Sequence, residues 1–435
     1  MTINKLPTTK LFKLFILLSV ITSFFIGFFF RDLSPGGAQG DFNARTWFLL
    51  QSFKDDFYFT IQNYGKFGDA AYPFFYIFNA YINPFSANKV QFLISNTFIS
   101  FFVFIIFALL LKKNFPKIHL IDCYLSSSVI LLLPFFRSTA YWGTTENLGW
   151  LLLLLSLFFF TKIRLNKEVK KINYFDVFVF CFLSSCALYT RPSLIFLPIS
   201  YMLYLFLINK NFKVILASIL FYSILSIPAF ILFFLWGGFF DMKNIDPGIV
   251  GAHSYVFIIK NIPIILSYFA FYFLPILFIE TKEIGIKNFS LKYIKPFILS
   301  FFVLIFLWKL NYLNYLIDLK YGGGAILKLN FILLEKNLFL MLISSALGFS
   351  LIYTFLKENF KYNICTIFPI FLIYGFPQYL FQEYLEPLII FIFFSGMLKI
   401  YLKDVFNKNI GITNLTTITY FSLYLVAATY YDLMR

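Results

Sequence analysis

Histidine, cysteine and charged residues are all scarce in this chain of 435 residues. It has two His and four Cys, and only 13% of its residues are charged. With only two histidines, we do not expect a histidine-based metal centre. Cysteine in apolar surroundings usually behaves as a small hydrophobic residue, so we expect no chemistry from it. All four cysteines fall in or beside apolar segments: Cys123, Cys181, Cys186 and Cys365.

Long runs of apolar residues dominate the sequence. Hydrophobic residues make up 60% of the chain, and the mean hydropathy is +0.81. A soluble fold of this size has too little interior for so much apolar surface. Repeated apolar runs of about 18 residues predict one all-α, polytopic membrane domain over 1–435, with about 13 transmembrane helices. The predicted spans are 11–30, 90–111, 118–136, 147–161, 177–189, 193–208, 214–236, 262–279, 297–308, 337–356, 364–377, 387–402 and 412–430.

The distribution of positive charge predicts the topology. With the N-terminus inside and 11–30 as an uncleaved first helix, the inward segments carry 22 of the 36 Lys and Arg residues. Such an excess is typical of cytoplasmic loops, so we expect a bacterial inner membrane protein with a cytoplasmic N-terminus. The net charge of +16 then indicates contact with anionic membrane lipids and no nucleic-acid partner. The inward segments are 1–13, 112–117, 162–176, 209–213, 280–296, 357–363 and 399–408.

The first outward loop, 31–85, is the most unusual segment. It holds five aspartates. Within it, the spacing of apolar residues from Phe42 to Ile61 predicts helix lying in the membrane interface. A second, shorter outward loop covers 237–261. Because the unusual polar residues concentrate on outward turns, we expect one site on the outer face, assembled from several loops.

Asp41 and Asp69 are the candidate acids of the first loop. A carboxylate at position 41 suits a general base toward a sugar hydroxyl, or a ligand for a divalent cation, Mg²⁺ or Mn²⁺, held against phosphate. A helix N-cap is the open alternative for Asp41. Asp69 precedes a proline-aromatic run that leads back to the membrane. Asp55 and Asp56 fit a solvated helix face.

Four cations lie on or beside the outward turns and are candidates for holding a phosphate. Arg191 is favoured because the following proline fixes its turn. For each cation the alternative is an ordinary lipid-phosphate anchor. The four are Arg137, Arg191, Lys243 and Lys260.

Other polar residues of the outward turns are candidates for substrate contacts. Glu146 begins an apolar helix, where helix capping is the alternative. Glu383 and Glu386 are three residues apart and are predicted to share one helical face. His253 is a candidate hydrogen-bond donor to the acceptor, or an incidental loop residue.

Several of these motifs together resemble the GT-C superfamily of membrane glycosyltransferases. Gly40-Asp41-Phe42-Asn43 resembles the family's acidic residue soon after the first helix, and the run from Gly68 to Tyr76 resembles the element before the second. The segments 135–147 and 188–193 are similar to its later outer turns. Over 236–238, 251–254 and 377–387 the chain is similar to the dolichyl-phosphate-glucose glucosyltransferase branch. It departs there at Glu383, where many relatives have Arg before the Tyr.

The resemblance implies a glycosyltransferase with interfacial helices in its first outer loop. Such an enzyme moves one sugar from a polyprenyl-phosphate donor to a glycan, lipid or protein acceptor on the extracytoplasmic face, with inversion. It implies Asp41 and Asp69 as catalytic acids and Arg191 and Arg137 on the donor phosphate. Two other functions stay open. An O-antigen or capsular polysaccharide polymerase would rely on outer-loop arginines, and a lipid-linked oligosaccharide flippase or transporter would place polar residues at mid-bilayer.

Overall fold

A computed structural model of the protein describes residues 10–30, 37–67, 72–168, 173–238, 255–317, 324–335, 337–377 and 380–433. Every regular element in these ranges is helical, which confirms the all-α prediction. The first long helix, α1, is Lys10–Phe30 and corresponds to the first predicted span.

The first loop forms a set of short helices rather than one amphipathic rod. The prediction of helix for 42–61 is confirmed, with a break at Asp56. Its side chain caps the next helix by accepting a hydrogen bond from the Phe59 N–H at 2.9 Å. The set is tied to the rest of the fold because the Trp236 indole donates to the Ile61 carbonyl at 2.8 Å. Its members are α2 (Ala38–Asp41), a π-helical turn (Phe42–Thr46), α3 (Trp47–Asp55), α4 (Phe57–Gln62), a 3₁₀ turn (Tyr64–Phe67) and α5 (Phe74–Tyr81).

The middle of the chain builds most of the long helices. They include one sharply bent pair, described below. The elements are α6 (Lys89–Asn114), α7 (Leu120–Ser128) with a 3₁₀ turn (Val129–Leu132), α8 (Pro134–Trp142), α9 (Thr145–Glu168), α10 (Tyr174–Thr190), a 3₁₀ turn (Pro192–Ile195), α11 (Phe196–Tyr204) with a π-helical turn (Leu205–Asn209), α12 (Phe212–Leu225) and α13 (Ile227–Trp236).

The last part is dominated by one very long helix that is broken once. Gly285 interrupts it with φ 80° and ψ 153°, a conformation that favours glycine. The elements are α14 (Tyr255–Lys309), a 3₁₀ turn (Asn314–Leu316), α15 (Gly324–Leu334), α16 (Phe339–Glu358), α17 (Phe360–Gly375), a 3₁₀ turn (Gln382–Tyr384), α18 (Glu386–Phe394), α19 (Leu402–Lys408) and α20 (Ile410–Leu433).

Eight helices in the described ranges are long and apolar enough to cross a membrane, or nine if one bent pair counts as a span. The thirteen predicted spans are not confirmed. Predicted spans 177–189 and 364–377 fall on helices of 17 and 16 residues, and 387–402 contains a helix of only nine. The spans 262–279 and 297–308 lie on the two sides of Gly285 in α14.

The predicted span 118–136 is the bent pair. Leu133 is extended, and Pro134 starts a new helix because its ring fixes φ for the first helical turn. The two helical parts meet at 75°. Arg137, expected in a turn, therefore lies inside α8.

Described parts of five predicted inward segments are joined to one another at one end of the bundle, the basic end: 112–117, 162–176, 280–296, 357–363 and 399–408. α10 starts at this end, where Asp176 lies 3.8 Å from Lys162, and runs away from it toward Arg191. The segments carrying Arg191 therefore gather at the opposite end. The linking contacts at the basic end are Lys13–Asp122 (2.7 Å), Arg164–Asn114 (2.7 Å), Lys292–Glu358 (3.0 Å) and Lys408–Glu283 (3.2 Å).

The two halves of α14 are joined by α16. Ser345 donates to the Pro263 carbonyl at 2.8 Å in the first half, and Ser350 donates to the Tyr293 carbonyl at 2.7 Å in the second. Gly348 lies between these serines, and a Cβ atom there would overlap the backbone carbonyl of Leu266. The close approach of the two helices therefore requires glycine at this position.

We expect Gly348→Ala to lower the free energy of unfolding by about 1–3 kcal/mol, because the added methyl group can be accommodated only by moving backbone. Thermal unfolding of the purified protein in detergent measures this. Gly40→Ala is the matched control, since nothing lies within 4 Å of a Cβ there. Equal melting temperatures for Gly348→Ala and wild type would contradict the packing described.

Candidate functional site

The turn after α10 places Arg191 in the protein interior. Arg191 is extended, with φ −149° and ψ 106°, and Pro192 begins the following 3₁₀ turn. The turn packs on α9 at Gly149, where a Cβ would lie 3.3 Å from Leu194 Cδ1 and 3.6 Å from Arg191 Cβ. Arg191 is only 5% exposed, so this cation needs partners within the protein.

Glu146 and two aromatic rings surround the Arg191 guanidinium. Glu146 lies in the first turn of α9, which suits the helix dipole, and its Oε1 is 3.2 Å from Arg191 Nη1. The guanidinium carbon lies 5.3 Å from the centre of the Trp150 ring and 4.9 Å from that of Tyr384. Such stacking holds a planar cation in one orientation.

The Arg191–Glu146 pair keeps unused hydrogen-bonding capacity. Both Arg191 Nη1 and Glu146 Oε2 are buried, and neither has a hydrogen-bond partner among the described residues. Buried polar atoms are nearly always paired. Arg191 Nη1 is ion-paired with Glu146 Oε1 without forming a hydrogen bond, and Glu146 Oε2 is an open acceptor beside it.

Glu383 is the second acid of this site. It lies half-buried on the 3₁₀ turn before α18, next to Tyr384. Burial and then the negative charge of Glu146 raise its pKa to about 8, although Arg191 acts in the opposite direction. Glu383 is therefore largely protonated at neutral pH and able to donate as well as accept a hydrogen bond.

Asp41 completes the group of charges, because its negative charge also raises the pKa of Glu383. It ends α2, and its side chain pairs with Arg45 one turn later and forms no capping bond. The side chain is 48% exposed, so a solvated acceptor could reach it. The structure thus pairs Arg191 with Glu146 and places Asp41 and Glu383 close enough to interact electrostatically.

Glu386 has a different environment from Glu383, so the expectation of one shared helical face is wrong. Glu383 lies on the 3₁₀ turn and Glu386 begins α18, with Leu385 between the two elements. Glu386 is fully buried. Its Oε1 accepts from the Phe135 N–H at 2.9 Å, and its Oε2 accepts from the Tyr272 hydroxyl at 2.9 Å.

Gln382 links this buried carboxylate to the turn that carries Glu383. Its Nε2 donates to the Tyr272 hydroxyl at 2.6 Å, to the Tyr424 hydroxyl at 2.9 Å and to Glu386 Oε2 at 3.3 Å. Its Oε1 accepts from the Ala325 N–H at 2.6 Å. The turn is therefore held on three helices, α14, α15 and α20.

The remaining candidates do not join this group. Arg137 is buried and donates to the Ser23 carbonyl at 2.9 Å, which ties α8 to α1. Lys260 lies over the Tyr315 ring at 5.2 Å. Three further candidates lie outside the described residues: Asp69, Lys243 and His253.

The divalent cation stays a prediction. In the described ranges no three His, Cys, Asp or Glu side chains are arranged to hold a metal ion. Asp41, the candidate ligand, is paired with Arg45.

Four contributors to the site were missed by sequence reasoning: Gly149, Trp150, Tyr384 and Gln382. Trp150 has a detectable signal, since it follows Glu146 by four residues and therefore lies on the same face of α9. Tyr384 is adjacent to a predicted residue. Gln382 has no such signal, because its partners come from three distant helices.

Comparisons with known proteins identify no relative: no protein-family model, no curated protein and no solved structure matches the chain. The class that the fold defines is a multi-pass, all-helical membrane protein.

We expect the stability of the protein to fall as pH rises from about 4.5 toward about 8. In this range the native Glu383 carboxyl keeps a proton that the unfolded chain, with the usual pKa of 4.5, has released. Glu383→Gln should weaken this dependence, because the amide resembles the protonated acid. Melting temperatures between pH 5 and pH 8.5 measure it.

Asp55→Asn is the control for that series, since Asp55 is an exposed acid of the first loop. It should keep the wild-type dependence on pH. If Glu383→Gln and wild type lose stability in parallel, the Glu383 carboxyl is not the group responsible.

Proposed function

We propose that the chain is a GT-C-type membrane glycosyltransferase that moves one sugar from a polyprenyl-phosphate donor to an acceptor hydroxyl of a glycan, lipid or protein. The observation that carries this is the buried Arg191, paired with Glu146 and surrounded by Asp41 and Glu383 at the end of the bundle opposite the basic segments. In the proposed orientation this end faces outward from a bacterial plasma membrane, and the N-terminus is cytoplasmic.

Arg191 is the proposed contact for the donor phosphate. A guanidinium is a charge-assisted donor of the kind that binds phosphate oxygens most strongly, and Arg191 Nη1 forms no hydrogen bond within the described protein. Trp150 and Tyr384 hold the guanidinium in place, so little reorganisation is needed as negative charge develops on the departing phosphate. A polyprenyl tail would remain in the bilayer, which brings its phosphate to the membrane surface.

Asp41 is the proposed general base, with Asp69 as a second acid. Its half-exposed carboxylate is proposed to receive the proton of the acceptor hydroxyl. The acceptor oxygen bonds to the anomeric carbon as the carbon–oxygen bond to phosphate breaks. The bond electrons leave with polyprenyl phosphate, and direct displacement inverts the anomeric centre.

Glu383 is proposed to stay protonated at neutral pH beside the reacting groups. A neutral acid there avoids repulsion of the donor phosphate and can donate a hydrogen bond to it or to the sugar. This also gives a reason for Glu at a position where the resembling family often has Arg.

Asp41→Asn should reduce sugar transfer at least about 100-fold, because general bases contribute rate factors of this size or larger. Membranes containing the variant are assayed with a panel of radiolabelled polyprenyl-phosphate hexoses. Asp55→Asn, an acid in the same loop, is the control and should retain transfer. Full activity in Asp41→Asn would remove Asp41 from the reaction, and no transfer by wild type from any donor would favour a polymerase or a transporter.

Arg191→Lys should lower transfer by about 100-fold and raise KM for the donor. Lysine keeps the charge but loses the second N–H group and the stacking on Trp150 and Tyr384. Arg164→Lys, at the basic end of the bundle, is the matched control. Unchanged KM and kcat in Arg191→Lys would argue against phosphate binding at this residue.

A further inference from the structure

Tyr268 has a buried hydroxyl group with no use in the fold. It lies on α14 and is 1% exposed. Its hydroxyl has no hydrogen-bond partner in the part of the chain that the structure describes. An unpaired hydroxyl in a protein interior costs free energy that a phenylalanine would avoid. The presence of tyrosine therefore calls for a partner from elsewhere.

The position of this hydroxyl is next to the Glu383 turn. The Tyr268 ring packs directly on Gly324, and a Cβ at Gly324 would lie 2.6 Å from the hydroxyl and 2.7 Å from Gln382 Oε1. The carboxyl groups of Glu386 and Glu383 are the charges that act on it. Tyr268 thus borders the same turn that contacts Arg191.

Tyr272, one helical turn further along α14, provides the contrast. Its hydroxyl donates to Glu386 Oε2 at 2.9 Å and accepts from Gln382 Nε2 at 2.6 Å. Two tyrosines of α14 therefore lie beside this turn. The hydroxyl of Tyr272 is hydrogen-bonded within the fold, and the hydroxyl of Tyr268 is not. Packing alone does not explain this difference, because both rings are buried.

The unpaired hydroxyl of Tyr268 adds to two other atoms near Glu383 that form no hydrogen bond. These are Glu146 Oε2 and Arg191 Nη1, the second of which is ion-paired with Glu146 Oε1. A hydroxyl both donates and accepts. A cation, an acceptor and a hydroxyl around one turn match a ligand that has an anionic part and several hydroxyl groups.

We propose that the Tyr268 hydroxyl binds a hydroxyl group of the transferred sugar and so helps to determine which hexose the site accepts. Tyr268 is a binding and specificity residue here, apart from the proton transfer assigned to Asp41. The identity of the ligand as a sugar rests on the proposed function. The existence of a hydroxyl-binding position beside Glu383 rests on the burial and the missing partner of Tyr268.

The first test compares Tyr268→Phe with Tyr272→Phe in thermal unfolding without ligand. Tyr268→Phe should melt at or above the wild-type temperature, because it removes an unpaired buried hydroxyl. Tyr272→Phe should melt below it, since that change breaks two hydrogen bonds. A loss in Tyr268→Phe as large as in Tyr272→Phe would mean that the fold uses the Tyr268 hydroxyl, which overturns the proposal.

The second test measures binding without requiring transfer. The melting temperature of wild type is followed with millimolar glucose 1-phosphate, galactose 1-phosphate and mannose 1-phosphate. At least one should raise it, and the rise should shrink by half or more in Tyr268→Phe. No rise in wild type with any of the three, or equal rises in both proteins, overturns the proposal.

Transfer assays then separate this inference from the proposed function. With an active donor, wild type should have a higher kcat/KM for the hexose than for one of its deoxy analogues. In Tyr268→Phe the ratio of these two kcat/KM values should be smaller by a factor of about ten or more. Active transfer with the same discrimination in both proteins refutes the Tyr268 role and leaves the glycosyltransferase proposal intact. Absence of transfer together with a Tyr268-dependent thermal shift refutes the transferase and leaves the sugar-binding position.

Discussion

The buried carboxylate of Glu386 is the constraint on which the end of the bundle opposite the basic segments depends. An acid that is 0% exposed among apolar helices must be met by donors from the protein. Four elements supply them: the N-terminus of α8, Tyr272 of α14, Tyr424 of α20 and Gln382. Because these donors all converge on one carboxylate, the relative positions of the elements that carry them are fixed together.

The proposed site lies on the opposite side of the same turn. Gln382 contacts the Glu386 network, whereas Glu383 and Tyr384 face Arg191. The ring of Tyr384 thus orients the Arg191 guanidinium, and the turn that carries Tyr384 is held in place by the contact of Gln382 with Glu386. This arrangement separates two roles that the spacing of Glu383 and Glu386 had suggested were shared. The Glu386 carboxylate stabilises the fold, and Glu383 belongs to the group of charged residues around Arg191.

The sequence was sufficient for the class of fold. Arg191, Glu146, Asp41 and Glu383 could be chosen as candidates because charge is rare in this chain and these residues lie on predicted outward turns. The number of spans could not be predicted. Hydropathy does not show that Pro134 starts a new helix at 75° to the previous one, or that α14 runs through its polar middle with one break at Gly285. Tyr268 was beyond prediction, because its importance depends on what its hydroxyl lacks in three dimensions.

The contrast between paired and unpaired polar atoms is the strongest physical argument for where this protein acts. At the basic end, ion pairs such as Lys292 with Glu358 use the charges of the inward segments for structure. At the other end, Arg191 Nη1, Glu146 Oε2 and the Tyr268 hydroxyl are buried atoms that form no hydrogen bond. In an apolar protein such atoms are costly, and these three belong to residues around one turn. A ligand that supplied the missing hydrogen bonds would offset that cost, so the same deficit that weakens the empty protein would favour binding.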